Sequence, residues 1–194
     1  MKISIKTRIG KTSPDEFYDL LEIFNRFPAK ELIIHPRLQT DYYRNTPNWD
    51  IFSWACRESK IPVCYNGNIF TLDDYRQFEQ AFPEVGAVML GRGLIANPAL
   101  AQDILKHKSH LTVEALRMFH DRLYSEFQKS LSGDIHVLFR MKELWSYMGS
   151  LFAESERCRK KIWKSQTLSE YETAVGNLFR EHEFIEGAGY TPVR

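Results

Sequence analysis

The stretch Ile61–Pro98, IPVCYNGNIFTLDDYRQFEQAFPEVGAVMLGRGLIANP, restricts the fold more than any other part of the chain. Two apolar runs of strand length, Ile61–Tyr65 and Gly86–Leu90, are each followed at once by a glycine-bearing polar turn: Asn66-Gly67-Asn68 and Gly91-Arg92-Gly93. Between them an amphipathic helix pattern opens at Thr71, a candidate N-cap, with Asp73 and Asp74 in the first turn, where the helix dipole favours acids. Strand, turn, helix, strand and turn make a βαβ unit, and such units build parallel sheets. A residue without Cβ lets consecutive backbone N–H groups face an anion, and Arg92 adds a bidentate donor for phosphate oxygens. In a (β/α)8 barrel the last two strand-to-helix loops are a frequent phosphate site. Read this way, the two turns hold the phosphate of a cofactor. For either turn alone, a glycine that merely permits a tight turn is the commoner explanation; the repetition one βα unit apart favours the phosphate.

With 194 residues the chain can bury a real core, in one domain or two small ones. Its formal charge of +1 does not announce a nucleic-acid partner. Cys56, Cys64 and Cys158 form an odd set without CxxC or Cys/His ligand spacing, which argues against a disulfide framework or a structural metal and fits a reducing compartment. Cys64, inside an apolar strand, reads as a small core residue. No run approaches the length of a membrane span, so a cytoplasmic protein is expected.

Along the chain, Lys2–Arg8 alternates, putting Ile3 and Ile5 on one side of a strand and Ser4, Lys6 and Arg8 on the other. In a barrel Lys6 and Arg8 would face inward near the C-terminal rim; a solvated edge strand would alternate in the same way. Thr12–Glu16 predicts a helix start with Ser13 as N-cap and Pro14 at the first helical position, followed by a core stripe of Phe17, Leu20, Leu21, Phe24 and Phe27. Glu31–Ile34 predicts a second strand running into His35-Pro36-Arg37, so that Ile33, His35 and Arg37 share a face and the polar heads reach its end. The polar, aromatic loop Asp41–Asp50, carrying Tyr42, Tyr43, Arg44 and Trp49, suits a lid or a base-stacking surface, although such loops also pack on their own domain. Ile51–Ser59 predicts a helix with Asp50 as N-cap.

After Asn97-Pro98 the pattern becomes helical, with stripes Val113, Leu116, Phe119, Leu123, Phe127 and Val137, Leu138, Leu144, Met148, Leu151, Phe152, and a last helix over Leu168–Phe179. A boundary is expected near Lys106–Leu111. Residues 136–164 hold Arg140, Lys142, Arg157, Arg159, Lys160, Lys161 and Lys164 against Glu143, Glu154 and Glu156, interleaved with Trp145, Tyr147 and Trp163. Such a cluster suits a phosphate backbone, while a solvated, ion-paired helix face is the usual meaning of a charge run.

Four strand ends stand out together: Lys6-Thr7-Arg8-Ile9-Gly10, His35-Pro36-Arg37, Asn66-Gly67-Asn68-Ile69 and Gly91-Arg92-Gly93. In that order and spacing they resemble the second half of the tRNA-dihydrouridine synthase family, and Phe139–Met148, FRMKELWSYM, resembles the start of its C-terminal helical domain. The resemblance implies a flavoenzyme that uses FMN and NADPH to reduce the C5–C6 bond of uridines in tRNA. By position, Lys6 and His35 would contact the flavin ring, Asn66 and Gly67 its ribityl-phosphate end, and Gly91 with Arg92 the phosphate. Arg37 would lie at the substrate mouth, and Arg140 and Lys142 are the first choices for RNA contacts. A cation beside the reduced flavin and an acid at uracil C5 are what the reaction needs.

The resemblance implies an α/β fold: residues 1–108 as about four parallel βα units, a partial (half) TIM barrel, and 109–194 as an all-α tRNA-binding domain. Two features depart from the family. Its proton-donor cysteine belongs to the first half of the barrel and has no match here, so no catalytic residue is assigned; and Pro36 and Leu38 replace a small residue and a threonine. A fragment, or a half barrel that pairs with its twin or with an N-terminal chain, would reconcile an open half sheet with closure. The rival readings are a non-catalytic RNA-binding module on a degenerate barrel scaffold, and another phosphate-binding barrel enzyme acting on a small metabolite.

Overall fold

The computed structural model describes residues 2–42 and 44–191. They fall into two compact units, one running to Ile69 and including Asp74–Leu90, the other made of Phe70–Asp73 and the chain from Gly91 onward. The expected boundary at 108/109 follows the change of composition. Packing divides the chain at Leu90–Gly91, so two short helices that follow group with the helical part.

The first unit is built on a parallel sheet of three strands, β1 (Ser4–Arg8), β2 (Glu31–His35) and β3 (Val63–Tyr65), in the order β1-β2-β3. Register sets the two faces: Lys6 lies opposite Ile33 and Ile33 opposite Cys64, while Thr7, Ile34 and Tyr65 form the next row, on the other side. Helices α1 (Glu16–Phe24), α2 (Trp49–Glu58) and α3 (Leu72–Ala81) follow the three strands in turn. The core of this unit joins Leu32, Ile34 and Tyr65 with Phe17, Leu21, Phe52, Ala55 and Phe78, all at most 1% exposed. Tyr65 stacks on Phe78 at 4.2 Å and meets Phe52 edge-on at 4.9 Å. Each such side chain contributes about 1.5–3 kcal/mol on burial.

Several expectations are corrected here. The fourth strand, Gly86–Leu90, reduces to a single parallel bridge between Tyr65 and Val88, with Tyr65 N donating to Ala87 O at 3.0 Å and Met89 N to Tyr65 O at 2.7 Å. Beyond it a side chain takes over the pairing, as Asn66 Nδ2 donates to Met89 O at 2.8 Å. The chain is therefore α/β and mostly helical, with a small parallel sheet. The first helix begins at Glu16 rather than after Ser13, because Ser13 and Pro14 form the turn that accepts Glu16 N and Phe17 N. It ends at Phe24, which leaves Phe27 outside it and 59% exposed. The N-cap of α2 is Asn48, not Asp50: its Oδ1 accepts Ile51 N at 3.0 Å.

The second unit contains α4 (Arg92–Ala96), α5 (Leu100–Lys106), α6 (Val113–Ser130), α7 (Asp134–Met148), α8 (Glu156–Lys164) and α9 (Leu168–Glu181). Thr112 caps α6 through Ala115 N, and Thr167 caps α9 through Glu170 N while the Glu170 carboxylate accepts Gln166 N, one residue before the cap. Its core gathers Leu116, Val137, Leu138, Met141, Trp145, Met148, Leu151, Phe152, Ile162, Tyr171 and Leu178. Trp145, expected among the RNA-facing aromatics, is buried and donates Nε1–H to Tyr171 Oη at 2.8 Å. Among the described residues no helix is long and apolar enough to cross a membrane, and no His/Cys/Asp/Glu cluster could hold a metal ion.

Candidate functional site

The candidate site begins at the C-terminal end of the small sheet. Because the strands are parallel and in register, Lys6, Arg8, Ile33, His35 and Cys64 share one face, and Arg8 lies directly opposite His35. Lys6 is exposed on that face, His35 is buried at its end, and Asn66 follows β3 at the same end. Of the residues expected around a flavin, His35 and Asn66 thus stand at the C-terminal end of the sheet, and Lys6, the middle residue of β1, lies on the same face as His35 two residues short of that end.

Arg37 is different from what its position in sequence suggests. It is 1% exposed, and its fork is spent inside the unit: Nε donates to Asn45 O at 2.6 Å, and Nη1 to Asn68 Oδ1 at 3.1 Å and toward His35 Nε2 at 3.2 Å. A guanidinium can only donate, so His35 Nε2 accepts and the imidazole carries its proton on Nδ1. Arg8 does the same work one strand earlier, with Nη1 donating to Leu38 O at 2.6 Å. The two arginines tie the loop after β2 to the strand ends. Asn68 belongs to the turn after β3 that the sequence marked and Asn45 to the loop Asp41–Asp50, but neither is assigned there as a partner of Arg37.

That loop is held further by Asp41, whose carboxylate accepts Leu38 N at 2.8 Å and Asn45 Nδ2 at 2.6 Å. Tyr42 is exposed and Tyr43 lies outside the described residues. Trp49, expected to belong to the same aromatic surface, opens α2 and stays 36% exposed, while its Nε1–H donates to Tyr65 Oη at 3.0 Å and its ring meets that of Phe82 at 5.3 Å.

Gly67 has a steric reason to be glycine. A Cβ there would sit 2.0 Å from Tyr65 Oη and 2.1 Å from its Cζ, so the phenol occupies the missing side chain's place. The loop after β1 carries a second anchor. Gly10 adopts φ +140°, and the Glu16 carboxylate accepts the N–H groups of Lys11, Thr12 and Ser13 at 2.8–2.9 Å. Those backbone donors hold the Glu16 carboxyl down at about 2.

None of the cysteines is activated. Burial pushes the Cys64 thiol up to about 11 and the Cys56 thiol up to about 12, and Cys158, also raised by burial, donates to Ala174 O at 3.2 Å.

Gly91 and Arg92 belong to the second unit, where Gly91 precedes α4 and Arg92 is its first residue, so the predicted turn is a helix start. The Arg92 guanidinium lies over the rings of Phe70 (5.2 Å) and Tyr190 (5.4 Å). In the same unit Arg140 is ion-paired with Glu143 at 3.2 Å, and Lys142 Nζ donates to Ser165 O at the end of α8. The basic surface therefore centres on α8, which buries Cys158 and Ile162 and exposes Arg157, Lys160, Lys161, Trp163 and Lys164. None of these four cations is ion-paired among the described residues, unlike Arg26, Arg117, Lys129, Arg140 and Arg180.

Compared with known proteins, residues 1–183 match the family model described as dihydrouridine synthase. Among curated proteins, the chain is 24% identical over 189 residues to tRNA-dihydrouridine(16) synthase of Vibrio vulnificus, covering 96% of this chain and 57% of that protein. It is 26% identical over 160 residues to the enzyme of the same name from Pasteurella multocida (80% and 50%), and 31% identical over 104 residues to that of Pseudomonas syringae (53% and 32%). The chain thus spans between about a third and just over half the length of these relatives.

Proposed function

The chain belongs to the dihydrouridine synthase family, and from that premise we propose that it is the part of a tRNA-dihydrouridine synthase that holds FMN from one side and grips tRNA. The reaction is the NADPH-driven reduction of uridine to 5,6-dihydrouridine. The observation that carries this reading is the shared face of the sheet, which holds an exposed lysine in the middle of β1 and a histidine with its proton on Nδ1 at the end of β2, with an asparagine directly after β3.

Such a donor set fits an anionic, hydrogen-bond-accepting flavin nucleotide. Bound FMN supplies the hydride for uracil C6. This chain's residues bind and orient: Lys6 and His35 at the ring, Asn66 and Gly67 at the ribityl-phosphate end, Gly91 and Arg92 at the phosphate. Arg37 acts beneath the substrate mouth by fixing the loop after β2 rather than by touching RNA. The outer edge of β1 has no strand partner among the described residues, which suits a further parallel strand of a larger, closed barrel. A second half barrel, from another copy or from an N-terminal portion, would provide it.

For tRNA, Arg157, Lys160, Lys161 and Lys164 on α8 supply cations for the phosphate backbone and Trp163 a stacking surface, with Arg140 and Lys142 beside them. The purified chain should carry a flavin absorbance spectrum and shift tRNA in a salt-dependent manner. A colourless protein that still shifts tRNA would favour the non-catalytic RNA-binding module, and a flavoprotein indifferent to tRNA a small-metabolite enzyme.

A further inference from the structure

Arg92 is held from two directions in the second unit. Phe70 presents one ring to its guanidinium and Tyr190, near the C-terminal end of the described chain, presents another; the two rings meet edge-on at 5.2 Å. The segment that brings Tyr190 there is itself fastened. Ser150 Oγ lies 3.0 Å from both Gly189 O and Tyr147 O, which share its one hydrogen, and accepts Thr191 N at 3.4 Å; Tyr190 lies 5.2 Å from the Tyr147 ring. Gly189 passes so close to Phe70 that a Cβ would fall 2.2 Å from Phe70 O.

An arginine side chain on a surface samples many rotamers. A ring against its face restricts that freedom without itself occupying an N–H group. We propose that Tyr190 is a positioning residue for Arg92: the C-terminal segment Ala188–Thr191 seats a ring on the guanidinium, and phosphate recognition by Arg92 depends on that seat. This rests on the reading of Arg92 as a phosphate ligand. Tyr190 itself touches neither phosphate nor flavin.

The test compares binding of FMN with binding of riboflavin, which lacks the phosphate, by quenching of flavin fluorescence in the whole chain. The wild-type protein should prefer FMN, and Arg92→Ala should abolish the preference. Tyr190→Ala should lower the preference roughly fivefold, the scale of one partly exposed cation–π contact, with riboflavin affinity unchanged. Tyr190→Phe, which keeps the ring, should behave as wild type. Gly189→Ala, which pushes the segment off Phe70 without touching either ring, should reproduce Tyr190→Ala, and Arg92→Ala combined with Tyr190→Ala should be no worse than Arg92→Ala alone. A full FMN preference in both Tyr190→Ala and Gly189→Ala, alongside its loss in Arg92→Ala, overturns this inference and leaves the phosphate role of Arg92 standing. An unchanged preference in Arg92→Ala, or none in the wild type, removes both together.

Discussion

Arg37 is a charged residue with almost no solvent, and its surroundings decide what its replacement costs. Its N–H groups satisfy a backbone carbonyl, an asparagine oxygen and an imidazole nitrogen, three acceptors in three directions. Arg37→Ala removes those three donated hydrogen bonds from a buried charged group and should destabilise the first unit by about 3 kcal/mol, each hydrogen bond to a charged group contributing about 1.5–3 kcal/mol and the losses not being additive. Arg37→Lys should recover little, since an ammonium on a flexible stem does not reproduce the planar fork. Urea titration followed by circular dichroism checks both, and an Arg37→Lys protein as stable as wild type would contradict the clamp. Gly67 has an equally local logic. The phenol that fills its missing side chain is itself fixed by Trp49 above and Phe78 beside it, so it has nowhere to go. Gly67→Ala should therefore cost about 1–3 kcal/mol, as overpacking does, measurable as a lowered thermal midpoint. The sequence marked Gly67 through the pattern of glycine turns; the reason that packing supplies, a tyrosine two residues earlier folded back beneath it, was not readable, because it depends on a rotamer.

At the scale of elements, apolar runs and period-two and period-3.6 patterns located β1, β2, β3, α1, α2, α3, α6, α7 and α9 but not α8, whose residues were read only as a basic cluster, since burial of one face is what those patterns encode. They failed where the backbone's partners are non-local. Gly86–Leu90 has a strand's composition, but Asn66 takes the acceptor that the next ladder bond would use. The caps of α1 and α2 were misplaced by two residues because serine, aspartate and asparagine each qualify and only geometry chooses among them. The basic cluster was legible as composition, while its division into paired and unpaired cations was not. That division makes a prediction. Substituting Lys160, Lys161 and Lys164 by glutamine should weaken tRNA binding by at least ~10-fold at low salt and flatten the logarithmic salt dependence by about 2, as expected when a few phosphate contacts are lost. Arg140→Gln, whose partner Glu143 already neutralises it, should change binding little. A filter-binding series from low to moderate salt decides it: an unchanged slope in the triple variant would move the RNA surface off α8.

At the scale of the whole molecule, each unit carries a group whose charge state is tied to folding, and the two act in different pH windows. In the second unit His120 is buried, with Nδ1 2.8 Å from Asp121 Oδ1 and Nε2 2.7 Å from Tyr171 Oη. Tyr171 Oη already accepts the Trp145 N–H, so its own hydrogen points to His120 Nε2, and His120 in turn donates from Nδ1 to Asp121. A second proton on the imidazole would have to displace the tyrosine hydrogen. Burial, the largest influence, lowers the His120 pKa, against the raising effect of Asp121 and with some help from Arg117. Because the folded value lies below the unfolded one, the unfolded chain binds more protons, and stability complete above the unfolded value of 6.5 is lost as pH falls below it. In the first unit the Glu16 carboxyl, held at about 2 against an ordinary 4.5, contributes stability above 4.5 that disappears between those values. Thermal midpoints measured from pH 8 to pH 3 should accordingly fall in two stages. His120→Gln, which keeps an acceptor for the tyrosine hydroxyl but cannot take a proton, should flatten the stage just below pH 6.5, and Glu16→Gln should flatten only the stage below pH 4.5. Were His120→Gln to leave the upper stage as steep as in the wild type, the hydrogen-bond chain from Asp121 to Trp145 could not be what acid disrupts first.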